Sequence, residues 1–143
     1  MTLRAWTKDD VAKIAALEKR CFSDPWSEEM FLGSMRLPVF YSVLIEDEDE
    51  LVGYACENIL FEDAEIANVA VAPEYRRRGL GKALLTWLEQ TARAQNAEKL
   101  FLEVRAGNTP AKTLYESFGF EGISVRKRYY EDGEDAIVML KKL

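Results

Sequence analysis

Apolar and polar positions follow two periods along the chain. A helical period runs through Val11, Ile14, Leu17 and Cys21, and Thr7 with Asp10 three positions on supplies a helix start. Ser27 followed by Glu28 and Glu29 opens a second helix, because a hydroxyl cap and early acids complement the free N–H groups there. The clearest helix is predicted over 79–96, where Leu80, Ala83, Leu84, Trp87, Leu88 and Thr91 share one face. Thr109-Pro110 starts a fourth, with proline where its missing N–H costs nothing, and Gly119 stops it. Between these lie strand-like segments: a short one at 3–5, three in succession at 40–45, 51–60 and 65–71, one at 99–104, and a final pair at 120–129 and 135–140 around Glu131-Asp132-Gly133-Glu134.

The strand at 65–71, the helix at 79–96 and the strand at 99–104 form a β-α-β unit. Its strands should be parallel with a right-handed crossover, and the flanking hairpins antiparallel. The expected fold class is α/β in the mixed, α+β sense: a central sheet of about six to seven strands with helices on both faces. A length of 143 residues fits a single domain spanning 1–143, and 48% hydrophobic residues support a core.

Charge and composition narrow the chemistry. Nineteen Lys and Arg against 25 Asp and Glu leave a net charge of −6, the wrong balance for direct nucleic-acid binding. The chain has no histidine, which removes Ser-His-Asp triads, Cys-His dyads and His-ligated zinc. Acid–base work falls to carboxylates, Tyr, Lys, Cys or water. Cys21 and Cys56 form no C-x-x-C pair and read as small buried hydrophobes. No apolar run is long enough for a membrane span, and residues 1–6 lack a signal-peptide layout, so a cytoplasmic location is expected. The acidic run at 46–50 reads as a solvated hairpin tip.

The strand at 65–71 and the helix at 79–96 are joined through Glu74-Tyr75-Arg76-Arg77-Arg78-Gly79-Leu80-Gly81-Lys82-Ala83. Free N–H groups, a helix dipole, glycines and four cations suit a polyphosphate. A P-loop is excluded, because Arg76 and Ala83 stand where glycine and Ser or Thr are required. A dinucleotide fingerprint is excluded by Leu84 at the third glycine position. A basic helix start that merely neutralises nearby acids leaves Gly79 and Gly81 unexplained.

Arg76-x-x-Gly79-x-Gly81, following Asn68-Val69-Ala70-Val71, resembles the coenzyme A signature of the GNAT superfamily of N-acetyltransferases. Cys21-Phe22-Ser23-Asp24-Pro25-Trp26-Ser27, Leu102-Glu103-Val104-Arg105, Asn108-Thr109-Pro110-Ala111 with Leu114-Tyr115, and Arg126-Lys127-Arg128-Tyr129-Tyr130 with Glu134-Asp135-Ala136 resemble its RimI-type branch. The resemblance covers essentially the whole chain. The glycine signature alone marks the superfamily. The combined set marks N-terminal acetyltransferases and is shared in part with archaeal and eukaryotic catalytic subunits.

That resemblance implies acetyl-CoA as cosubstrate, no metal, and a sheet whose two central parallel strands part to admit the pantetheine arm. Cofactor contacts fall on Val69, Ala70 and Val71, on Arg76, Arg77, Arg78, Gly79, Leu80, Gly81 and Lys82, and on Asn108, whose plainer role is a turn or helix cap. A backbone N–H at the parted strand would face the thioester carbonyl. The acceptor α-amine, with a pKa of ~7.7–8.0, needs a base. Alternation puts Phe101, Glu103 and Arg105 on one face of their strand, and a carboxylate there is either paired with Arg105 or another cation, or active. The resemblance implies that Glu103 is the base, directly or through one water, and that Tyr115 is the acid for the departing thiolate. The plainer alternative for Tyr115 is packing on the sheet. Tyr129 and Tyr130 are implied to cover the peptide N-terminus and Trp26 to line the same cleft; aromatic packing under a loop is the alternative.

The activity implied is transfer of acetyl to the N-terminal alanine of small-subunit ribosomal protein eighteen, in a ternary complex. The partner is then the N-terminus of a basic ribosomal protein, drawn by Glu131, Asp132, Glu134 and Asp135 unless these are only a solvated turn. Neither nucleic acid nor membrane is a partner in this reading. A broader N-terminal or lysine acetyltransferase and a non-catalytic acetyl-CoA adaptor remain as alternatives, and the oligomeric state is open.

Overall fold

The computed structural model describes residues 1–143. Its elements are β1 (Thr2–Arg4), α1 (Val11–Cys21), α2 (Glu28–Met35), β2 (Phe40–Asp47), β3 (Glu50–Leu60), β4 (Asp63–Val71), α3 (Leu80–Ala94), β5 (Lys99–Arg105), α4 (Thr109–Ser117), β6 (Glu121–Arg126) and β7 (Ala136–Lys142). The seven strands form one mixed sheet in the order β1-β2-β3-β4-β5-β7-β6, with β4 and β5 parallel and every other neighbouring pair antiparallel. No helix is long and apolar enough to cross a membrane.

The two sheet faces carry separate cores. On one, α3 brings Leu84, Leu85, Leu88 and Ala92 against Val43, Ala55, Ile66 and Leu102, with α4 packed at the edge. Each such leucine contributes roughly 1.5–3 kcal/mol by leaving water. On the other, α1 and α2 seal Trp6, Ile14, Leu17, Phe31, Leu44 and Tyr54. Trp6 is held there by a 2.8 Å bond from its indole N–H to the Val43 carbonyl.

Helix starts follow the sequence signals. The Thr7 N–H donates to the Asp10 carboxylate at 2.6 Å, although the first turn, Lys8–Asp10, is a tighter 3-10 turn before α1 begins. Ser27 caps α2 by accepting from the Met30 N–H at 3.2 Å. Gly119 ends the α4 region at φ +98°, where a side chain would be strained.

Two expectations need correction. The acidic run is not a free tip: Glu46 and Asp47 belong to β2, and Glu46 pairs with Arg4 at 2.7 Å. Only Glu48 and Asp49, both left-handed, turn the chain. The strand expected at 120–129 stops at Arg126, because Arg128 adopts φ +52° and its N–H turns to the Asp135 carboxylate at 2.9 Å.

β4 and β5 pair only at Asp63↔Lys99, Ala64↔Leu100 and Glu65↔Phe101. Directly beyond, β4 carries a bulge: Cys56 faces Asn68 and Glu57 faces Ile66, so Ala67 is the extra residue. A bulge bends and twists its strand. β5 stays with β7 along its full length, from Lys99↔Lys142 to Arg105↔Ala136. The two central strands therefore separate towards their C-terminal ends.

Candidate active site

The separation leaves one edge of β4 without a strand partner. The Ala72 N–H donates to the Val52 carbonyl at 2.8 Å, on the β3 side. Main-chain groups alternate along a strand, so those of Val71 and Val69 point into the gap. The Val71 carbonyl is met there by Arg76 Nε at 3.3 Å. Ala70 turns its main chain to β3 and its side chain into the α1–α2 core, so its place in the gap is indirect.

Arg76 to Lys82 form the turn that enters α3. Arg77 and Gly79 are both left-handed, at φ +64° and +78°, and Gly79 is the N-cap without any side-chain cap bond. The first intrahelical bond runs from Ala83 N to Gly79 O at 3.1 Å. The N–H groups of Leu80, Gly81 and Lys82 are consequently free donors. Arg78 lies 4.8 Å over the Tyr75 ring, and Arg77 and Lys82 are exposed. Gly81 serves packing as well as approach: a Cβ there would meet Leu114 Cδ2 of α4 at 3.0 Å.

Between the parted strands and the α1–α2 loop lies a cleft of about 210 Å³, lined by Trp26, Val69, Glu103, Asn108, Tyr115 and Tyr130 among others. Six sequence-predicted site residues from five separate segments thus converge. Glu103 reaches it from β5, with Oε2 buried and unbonded and Oε1 3.4 Å from Arg126 Nε. The cation paired with Glu103 is therefore Arg126 and not Arg105. Tyr129 is half-exposed and outside the lining, but the Glu103 carboxylate beside it raises its phenol above the ordinary value. Tyr115 sits on α4 with its ring edge-on to Phe120 at 5.9 Å, and burial pushes its hydroxyl up to about 12. Asn108 caps α4, accepting from the Ala111 N–H at 3.2 Å, while still lining the cleft.

Two polar networks brace the cleft. Arg105 binds Asp24 of the α1–α2 loop at 3.2 Å and Asp132 and Glu134 of the β6–β7 loop at 2.8 and 3.0 Å. Its guanidinium lies 4.0 Å over the Tyr130 ring, and Glu134 also accepts the Gly107 N–H at 2.9 Å. A Cβ at Gly107 would stand 2.7 Å from that carboxylate oxygen. At the back, the buried Glu18 accepts the Trp26 N–H at 3.0 Å, Asn68 Nδ2 at 3.1 Å, and the Tyr54 hydroxyl. Burial, then the nearby Glu18 charge, raises the Tyr54 pKa far above the ordinary phenol, so Tyr54 keeps its proton as donor.

Glu18, Asn68 and Arg105 are site residues that reading the sequence missed. Each left a trace there. Glu18 is a carboxylate four residues beyond Ile14 on the apolar face of α1, and Asn68 interrupts an apolar strand. Arg105 shares a strand face with Glu103, but its partners lie far off in the chain.

The Acetyltransferase (GNAT) family model matches residues 11–120. The ribosomal protein bS18-alanine N-acetyltransferase of Escherichia coli K12 is 35% identical over 141 residues, covering 96% of this chain and 95% of that protein. The Salmonella typhimurium enzyme of the same name is 33% identical with the same coverage. The crystal structure of the Escherichia coli ribosomal-protein-S18-alanine N-acetyltransferase superposes with a TM-score of 0.91 at 33% identity, over 99% of this chain and 92% of that one. With a matching glycine turn, a parted β4–β5 pair and full-length relatives of one activity, the chain belongs to the GNAT family of N-acetyltransferases, in its RimI-type branch.

Proposed function

We propose that this protein uses acetyl-CoA to acetylate protein α-amino groups, with the N-terminal alanine of ribosomal protein bS18 as its target, in the cytoplasm. The observation that carries this reading is the convergence of Glu103 and Tyr115 on one cleft beside the unpartnered edge of β4. The residues fit the cosubstrate. Val69 and Val71 offer main-chain groups to an amide-bearing arm, and the start of α3 offers free N–H groups and cations to phosphates. Bound there, acetyl-CoA supplies an acyl group on a good leaving group.

The chain's own residues supply the rest. Glu103 takes a proton from the incoming ammonium, through its unbonded Oε2 or a water. Arg126, 3.4 Å from the other oxygen, steadies the carboxylate without occupying both. The Val69 N–H donates to the acyl oxygen as that oxygen gains charge. Tyr115 keeps its proton through the neutral range and gives it to the departing sulfur. Tyr130, clamped under Arg105, and Trp26, tied to Glu18, narrow the entrance to a thin peptide terminus. Asp132 and Glu134 give that entrance a negative rim suited to a basic peptide.

Purified protein with acetyl-CoA and alanine-first peptides, read by mass spectrometry, tests this. Acetyl should appear on the α-amine and disappear when that amine is blocked. Persistent lysine acetylation after blocking would replace this reading with the lysine one. Glu103→Gln should bind CoA normally by calorimetry and lose about 10²–10⁴ in kcat. Unchanged turnover would remove Glu103 as the base.

A further inference from the structure

Asn68 is 8% exposed and Glu18 is 2% exposed, and both line the cleft. Asn68 Nδ2 lies 3.1 Å from each Glu18 oxygen. A carboxylate in this network only accepts, so the amide can face it only with its nitrogen. The carbonyl oxygen is thereby turned away from Glu18, and Asn68 Oδ1 is buried with no partner. A buried acceptor without a donor costs free energy, and such a group in a folded protein calls for an explanation. The cost is not an accident of loose packing. The Tyr54 hydroxyl and the Trp26 N–H complete the shell of Glu18 and fix the whole group in place.

The direction of Asn68 selects what can bind it. The side chain lies on the α1–α2 face of β4, next to Ala70 and Tyr54. The gap edge, where Val69 and Val71 turn their main chain, is a different side of the strand. A molecule lying along that edge takes its bonds from the main chain. A molecule entering between Trp26 and Tyr130 comes upon the Asn68 side chain, whose buried Oδ1 is without a partner. It must carry an N–H or O–H donor, and the terminal amine of a peptide brings more than one N–H.

We infer that Asn68 Oδ1, oriented by the buried Glu18, accepts a hydrogen bond from the terminal amino group of the acceptor peptide. This rests on the N-terminal acetyltransferase reading above and adds a substrate-binding residue to it. Glu18 is a positioning residue: it touches no substrate but sets the amide's direction. Once the ammonium has lost a proton, one N–H of the neutral amine held by Asn68 and the other turned to Glu103 leave its lone pair free for the acyl carbon.

The test is steady-state kinetics with an alanine-first peptide and acetyl-CoA on wild type, Asn68→Leu, Glu18→Gln and the double variant Glu18→Gln/Asn68→Asp. Asn68→Leu and Glu18→Gln should each lower kcat/KM for peptide by about tenfold or more, the loss of one buried hydrogen bond. The KM for acetyl-CoA should stay within about twofold, since the coenzyme edge is untouched. The double variant should recover most of the loss. Its new amide at 18 donates to the new carboxylate at 68, whose second oxygen again faces the cleft. A folded Asn68→Leu with unchanged peptide kcat/KM overturns the inference, as does a double variant no better than Glu18→Gln. Should the variants fail to fold, wild type decides it: the Asn68 13Cγ resonance in CoA-loaded protein shifts on titration with the free-amine peptide and not with its N-acetylated form. Equal response to both, or none, overturns it. A wild type that turns over no peptide fails the functional reading and takes this inference with it. Normal turnover with an indifferent Asn68 fails this inference alone.

Discussion

Two fully buried carboxylates occupy opposite faces of the sheet and have opposite surroundings. Glu18, on the α1–α2 face, accepts bonds from three different residues, none of them a cation. Glu57, on the α3 face between Ala55 and Ile59, has neither oxygen bonded. Burial alone pushes Glu57 up to about 8, so it sits in the core protonated near neutral pH. The difference separates investment from tolerance. Glu18 is built into the wall of the cleft by donors from three elements, and Glu57 is a polar group that its packing merely endures. A third group completes the scale. Arg105 has carboxylate partners on two loops, yet it lies near solvent, where such pairs are screened and individually weak.

The sharpest way to break this contrast is to truncate Glu18. Glu18→Ala strands the Trp26 N–H, Asn68 Nδ2 and the Tyr54 hydroxyl, and at about 1–3 kcal/mol per buried donor the total should approach 4 kcal/mol in urea unfolding. A loss below about 1 kcal/mol would put Glu18 in the same class as Glu57.

Glu57 should behave with the reverse sign. Its folded pKa lies above the ordinary 4.5, so the folded state holds a proton that the unfolded chain gives up. The Glu57 contribution to stability is therefore most favourable below about pH 4.5 and declines as pH rises towards 8, at up to ~1.4 kcal/mol per unit. Glu57→Met should gain about 3 kcal/mol over wild type at pH 7 and remove that slope. Parallel pH curves for the two proteins would show that Glu57 is solvated by something that its surroundings do not reveal.

The smallest effect belongs to Arg105. Arg105→Ala should raise peptide KM about fivefold in low salt, the worth of ~1 kcal/mol, with the wild-type advantage fading at high ionic strength. A salt-independent loss would mean that stacking on Tyr130, rather than the ion pairs, holds the β6–β7 loop.

The contrast also marks what reading the chain could and could not find. Helix starts at Ser27, Thr109-Pro110 and Gly79, and all seven strands, follow from periodicity and local capping. The parting of β4 from β5 came from family resemblance, yet its cause was written locally. Ile66, Val69 and Val71 all pack on the α3-side core, and the interval of three between the first two breaks strand alternation where Ala67 bulges. Partnerships across the sheet were not legible. Strand alternation offered Arg105 as the cation for Glu103, but Asp24, Asp132 and Glu134 claim it from 27 or more positions away, and Arg126 from the edge strand takes its place. Glu18 and Asn68 each look like an interruption of an apolar pattern. Only their meeting in space turns two interruptions into one device.

The close fit of Gly81 against Leu114 joins two tasks that are usually discussed apart. Leu114 is the neighbour of Tyr115, so the turn proposed to cradle the phosphates and the hydroxyl proposed to meet the sulfur are the two arms of one stiff bracket. A single methyl at position 81 acts as a shim in its joint, and the enzyme would grip one end of its cosubstrate only by losing aim at the other.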